Sequence, residues 1–214
     1  MSMKQVLVGF VPWIVFTLVA TRVGPGAVGA ACALAFLVAV GLIVRSVSRG
    51  ESPKILEVVG AVVFLVLSGV SLLHPASDAF LAGYGRALAA AILAAAIFLL
   101  LPVMPFTEQY ARESVPREYW HSREFRSINR RISAAWGGAI AVMAVSHLVA
   151  GTFEAPDPGV RLLHRPVDLL FNWVVPALLL WAAARYTQRV TAGPEQESAA
   201  PAAAGRTPGA GRTR

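Results

Sequence analysis

Six apolar runs of 15 to 21 residues, at 6–20, 26–44, 55–73, 87–104, 132–152 and 169–186, fill most of the chain and are separated by short polar stretches. A lipid bilayer demands this arrangement: at 1.5 Å per residue, a helix needs about 20 apolar residues to cross about 30 Å of hydrocarbon. A soluble domain covers its surface with roughly 25% charged residues, whereas this chain carries 14% and is 56% hydrophobic. The predicted fold is therefore all-α: a polytopic helical membrane protein of about six transmembrane helices, forming one membrane-embedded bundle over 1–190.

The runs are not equivalent. The second, third and fifth meet the crossing length, and the fourth does so with help from Tyr84 and Phe106 at its flanks. The first, "VLVGFVPWIVFTLVA", is short and holds Pro12; the sixth, "LLFNWVVPALLLWAAARY", holds Pro176 and ends near Arg185, whose stem can snorkel outward. A proline within a membrane helix removes one backbone hydrogen bond and bends it, so kinks are expected in both. Lys4 and "AVGAACA" have some ingredients of a cleaved leader, but Arg22 and Pro25 occupy the cleavage region and the next run follows at once, so the first run is read as retained. Residues 191–214, "TAGPEQESAAPAAAGRTPGAGRTR", are too poor in bulky apolar groups to pack and are expected to form a disordered cytoplasmic tail. Cys32, the single cysteine, lies inside an apolar run and is expected to be a packing residue; no disulfide is possible within one chain.

Orientation follows from the basic residues between the runs. With the N-terminus inside, 15 of the 19 Lys and Arg fall on the inner side, and Arg22, Arg86, Arg161 and Arg165 on the outer. Such asymmetry follows the positive-inside rule, so both termini are expected in the cytoplasm of a bacterial inner membrane. The formal charge of +7 is thereby assigned to membrane orientation, and no nucleic-acid partner is expected. Lipids are the immediate partners.

One segment departs from the prevailing Ala, Val and Leu. Between runs four and five, the connector 105–131 ("PFTEQYARESVPREYWHSREFRSINRR") concentrates six arginines, four glutamates and five aromatics. Phe106 and Tyr110 are four residues apart, and Phe125, Ile128 and Ile132 recur at helical spacing, so each half has an apolar face. Pro116 divides it into two short helices, Glu108 and Arg112 form an i,i+4 pair, and Ser122 is the expected N-cap of the second, with Glu124 in its first turn. The expectation is an amphipathic hairpin on the inner leaflet, with Tyr119 and Trp120 at headgroup level. Arg117, Tyr119, Trp120 and Arg123 are the candidate partner-docking residues, because Trp, Tyr and Arg dominate protein interfaces.

Few ionisable or strongly polar groups enter the runs. His147 lies in the fifth, Asn172 in the sixth just past Asp168, and Arg86 opens the fourth; in a compact bundle these could meet near the outer face. Glu57, three residues after Lys54, is expected to pair with it or with a connector arginine. Alanines in "ALAAAILAAAIFLL", and Gly137, Ala141 and Ala144, are suited to close packing in lipid, which places runs four and five at the centre. There is no HExxH, GxSxG, P-loop or GxGxxG, and the histidines at 74, 121, 147 and 164 lack metal-ligand spacing. No catalytic residue, cofactor or metal is assigned, and the protein is read as not an enzyme.

Several segments resemble the bacterial intracellular septation protein A family: "FVPWIVF" in the first run, "LEVVGAVVFLVLSGVSLL", the proline-to-tryptophan step "VPREYW", "INRRISAAWGGAIAVM" opening the fifth run, and "LLFNWVVP" in the last. The similarity extends over roughly 4–189. The chain departs from the family's pattern in a longer connector, a histidine at 147 where an asparagine is usual, and the added tail. The resemblance implies a non-enzymatic inner-membrane protein serving envelope integrity or septation through division or envelope-synthesis partners. The residues also support a different class, a small transporter or channel using the polar residues of the bundle.

Overall fold

In the computed structural model, which describes residues 3–20, 25–153 and 166–204, the chain is helical, with no strand among those residues. Its α-helices are α1 (Met3–Gly9), α2 (Val11–Ala20), α3 (Val28–Ser48), α4 (Ile55–Leu73), α5 (Asp78–Leu100), α6 (Phe106–Ala111), α7 (Arg123–Thr152) and α8 (Val175–Ala204), the last entered through a π-helical turn at Leu170–Val174. Five segments are long and apolar enough to cross a membrane: Val28–Ser48, Ile55–Leu73, Pro75–Leu100, Arg123–Thr152 and Pro166–Ala192. By length and composition this is a multi-pass membrane protein.

The expected first span is broken. Pro12 has no N–H to give Val8, and its ring opposes that carbonyl, so α1 stops at Gly9 and α2 begins at Val11. At the break, the Phe10 N–H reaches the Leu7 carbonyl (3.1 Å) while the Phe10 carbonyl accepts from Ile14 N–H (3.0 Å). The ten residues of α2 cover only about 15 Å. Five full-length segments and one broken apolar arm therefore stand where six spans were expected.

Other boundaries move because charge ended the apolar runs, whereas charged residues do not end a helix. α5 begins at Asp78 instead of 87, which places Arg86 about two turns inside it and not at its opening. α7 begins at Arg123, so the second half of the connector is the first part of a 30-residue helix and not a short separate one. Ser122 caps it as expected, its Oγ accepting from the Phe125 N–H at 3.1 Å. Helix also continues through 191–204, where no regular structure was expected; alanine, abundant there, is the strongest helix former. Arg22, Arg161, Arg165 and the tail residues 205–214 lie outside the described residues.

The most extensive helix packing in the bundle is shared by two pairs, α3 against α4 and α5 against α7. Lipid offers no hydrophobic drive for helices to associate, so contact depends on how closely two backbones approach. Along α5 the buried Gly83, Ala87, Ala90, Ala94 and Ile97 repeat at alternating steps of four and three; α7 answers with Gly137, Ala144 and Gly151, seven apart. The approach is closest at Gly151, where an added Cβ would stand 2.7 Å from the Gly83 carbonyl oxygen and 2.9 Å from Tyr84. Ala141 is only partly buried, so the packing stripe runs through Gly137, Ala144 and Gly151 instead of through Ala141. Cys32 is buried among apolar neighbours, as expected.

Gly151→Ala should wedge α5 from α7 and destabilise the bundle by about 1–3 kcal/mol, the usual penalty of overpacking. Gly138→Ala, on the same helix with nothing within 4 Å of the new methyl, should not. Thermal unfolding in detergent checks the pair, and equal midpoints for both variants would refute the close seam.

Candidate functional site

At the far end of the bundle from the connector, the intramembrane polar residues meet. Asn172 sits inside the π-helical turn of the last span and is 2% exposed. Four residues on, Pro176 has no N–H to return to the Asn172 carbonyl, and the chain responds by widening: the Val175 N–H bonds Leu170, five residues back. The Phe171 carbonyl in this turn is met from the neighbouring helix by Ser146 Oγ at 2.6 Å. One residue along α7, His147 Nδ1 lies 2.7 Å from Asn172 Oδ1.

The direction of these bonds follows from the amide. Asn172 Nδ2 donates to Asp168 Oδ1 at 2.6 Å, so Oδ1 is the acceptor on its other side and His147 Nδ1 carries the hydrogen. Nε2 is then the nitrogen that bears the lone pair in the neutral ring. Asp168 also lies 3.9 Å from the Arg86 guanidinium of α5. His147, Asn172, Asp168 and Arg86 thus form one chain across α7, the last span and α5, as expected of residues that could meet in a compact bundle.

A cavity of about 200 Å³ lies beside this chain. Thr17, Arg86, His147 and Asn172 make its polar part, and Trp13, Phe16, Leu93, Ile140 and Trp173 are among its apolar lining. Both helix breaks border it: Phe10 belongs to the interruption between α1 and α2, and Asn172 and Trp173 to the π-helical turn. Sequence reasoning placed the prolines and the polar residues but did not connect α2 to them. The sequence signal was the paired prolines at the two ends of the chain; the cavity that both end segments line is what made it legible.

The connector is built differently from the expected leaflet hairpin. α6 is wedged into the protein, with Phe106, Thr107, Glu108, Tyr110 and Ala111 buried, so its apolar face meets the bundle and not lipid. Thr107 bonds α7 three times: its N–H to Ser133 Oγ (3.2 Å), and its hydroxyl to the Asn129 carbonyl (3.0 Å) and to Ser133 Oγ (2.9 Å). Toward α4, Gln109 Oε1 accepts from the Ile55 N–H (2.8 Å), one of the donors a helix N-terminus leaves unmet, and Glu113 pairs with Lys54. Glu57 consequently does not pair with the Lys54 ammonium; its carboxylate accepts from the Lys54 backbone N–H at 3.3 Å and from Ser46 Oγ at 3.5 Å. The predicted Glu108–Arg112 pair is present at 2.6 Å. None of the Thr107, Asn129 and Ser133 network was foreseen, since single polar residues carry no periodic signal.

Of the candidate docking residues, Arg117, Tyr119 and Arg123 are exposed. Trp120 is held by its own chain: Nε1 donates to the Val115 carbonyl at 2.9 Å, and the guanidinium carbons of Arg112 and Arg117 lie 4.9 and 5.6 Å from its ring. Among the described residues no group of three or more His, Cys, Asp and Glu could hold a metal ion. The chain matches no known protein family, no curated protein and no solved structure.

His147→Ala and Asn172→Ala should each destabilise the protein, and the double variant should cost less than their sum. The expected coupling is about 0.6–2 kcal/mol, the range for hydrogen bonds between membrane helices. A double-mutant cycle on thermal unfolding measures it; strict additivity would show that the two side chains do not act together.

Proposed function

We propose that this protein binds a small, mainly apolar solute bearing one polar group in the cavity beside His147, and acts as a small transporter or channel. The observation that carries the reading is the meeting of both broken membrane segments at one cavity. Interrupted helices line substrate sites in transporters because the backbone there has groups to spare and can move. Arg86, His147 and Asn172 supply donors and acceptors for the polar group, and the Trp13, Phe16 and Trp173 rings supply apolar wall. In this reading the connector faces the cytoplasm of a bacterial inner membrane and the cavity lies toward the outer face, an orientation that the positive-inside count supports.

A solute of this kind should stabilise the purified protein by mass action, by about 2.7 kcal/mol at 100 times its dissociation constant. A thermal-shift screen of small aromatic and aliphatic monocarboxylates, followed by uptake into proteoliposomes with the hits, tests both halves. His147→Ala should remove stabilisation and flux together, whereas Trp120→Ala should leave both in place. Binding without flux would reduce the reading to a carrier-like binding site, and flux unaffected by His147→Ala would end it.

Exposed Arg117, Tyr119 and Arg123 favour a second reading. In it the connector docks a membrane protein of division or envelope synthesis, as the resemblance to the intracellular septation protein A family implies. Tyr119→Ala with Arg123→Ala should then abolish cross-linking to partners in cells while insertion is kept. Because Trp120 is already engaged by Arg112 and Arg117, Trp120→Ala should act through disordering of those arginines. Cross-linking that survives the Tyr119 and Arg123 changes would exclude this surface.

A further inference from the structure

A second cavity, of about 260 Å³, opens at the connector end of the bundle, remote from His147. Its construction begins with the end of α3. Gly50 has φ +73°, a conformation natural to glycine, and lets the chain reverse with Gly50 N–H on the Val47 carbonyl (2.9 Å) and Glu51 N–H on the Ser46 carbonyl (3.0 Å). This reversal brings Arg45, Arg49 and Glu51 to the same hollow as Lys54, Glu57, Tyr110 and Glu113. Val8 and Leu42 supply its apolar lining, from α1 and from a helix long enough to cross the membrane.

The charges are not a basic patch. Lys54 and Glu113 pair with each other, which leaves two arginines and two glutamates around the hollow. Tyr110 is 1% exposed, and its hydroxyl has no hydrogen-bond partner among the described residues. A buried hydroxyl without a partner pays for its lost hydration with nothing in return, so its retention calls for a group that meets it. Among the described residues no three carboxylates converge in a metal-holding arrangement.

We propose that this hollow is a binding site for the headgroup of a zwitterionic phospholipid with a primary amine, of the phosphatidylethanolamine type. The phosphate would take the Arg45 and Arg49 guanidinium groups and the Tyr110 hydroxyl. The ammonium, with three N–H donors, would take the Glu51 and Glu57 carboxylates. The acyl chains would leave along Val8 and Leu42. This assignment is independent of the solute cavity: it uses none of its residues and survives if that reading fails.

The test is native mass spectrometry of the delipidated full chain titrated with phosphatidylethanolamine, phosphatidylcholine and phosphatidylglycerol of matched acyl chains. Phosphatidylethanolamine should bind about tenfold tighter than either, since choline has no N–H for a carboxylate and glycerol has no cation. Tyr110→Phe should weaken it by about two- to tenfold, the loss of one hydrogen bond. Arg49→Gln with Glu51→Gln, both exposed positions that need no refolding, should erase the preference even if Tyr110→Phe proves unstable. Equal retention of the three lipids, a preference for phosphatidylglycerol, or an unaltered preference in the Arg49 and Glu51 variant would overturn the proposal. Soluble glycerophosphoethanolamine serves as competitor: failure to displace the lipid supports the lipid as source, and displacement mole for mole assigns the site to a free phosphodiester instead.

Discussion

Backbone approach between α5 and α7 is the contact on which the rest of the molecule depends. In lipid, burying Leu or Val against another helix gains nothing over burying it in acyl chains, so proximity must come from side chains small enough to let dispersion contacts form. Gly83, Ala87, Ala90 and Ala94 facing Gly137, Ala144 and Gly151 provide it. That seam fixes the height at which Arg86 and His147 stand, and hence where the last span can offer Asn172. A bulkier seam would separate the polar chain before it altered any polar residue.

The two ends of the bundle solve the same problem with different chemistry. Each has interrupted helices whose backbone groups need partners. At the far end, Ser146 meets the Phe171 carbonyl and the polar chain occupies the space the π-helical turn opens. At the connector end, α6 is inserted between α4 and α7, its Thr107 bonded to Ser133 and Asn129 and its Gln109 completing the start of α4. Polar side chains are therefore placed where the helices break, and both cavities follow from those breaks. Burial pushes the Tyr110 hydroxyl well above the ordinary range of a phenol, helped by the carboxylates of Glu57 and Glu113, so it stays protonated and acts as a donor.

The connector shows how far amphipathic spacing can be taken. Phe106, Tyr110, Phe125 and Ile132 are buried and Ile128 partly so, on the apolar faces that their spacing implied, but against the protein and not against the leaflet that was expected. Spacing alone does not say what that face meets. An apolar stripe beside a membrane can lie on lipid or in a protein groove, and the choice depends on whether a groove with matching polar groups exists. Here the Ser133 hydroxyl, which accepts from the Thr107 N–H, and the Ile55 N–H at the start of α4, which donates to Gln109, provided one.

The amino-acid sequence by itself determined that the chain is helical, with helices long and apolar enough to cross a membrane, because the length and apolarity of its runs are set against the thickness of a bilayer. It also determined where helices would be disturbed, at Pro12 and Pro176, and which end of α7 would carry a serine cap, since these are properties of a few neighbouring residues. Only the tertiary structure decided that the first run is a broken arm, that α6 is a buried wedge, that Lys54 turns to Glu113 and not to Glu57, and that both proline-disturbed segments border one cavity. Those outcomes join residues more than 160 positions apart, Phe10 with Asn172 among them, and no local periodicity records which helices will lie side by side.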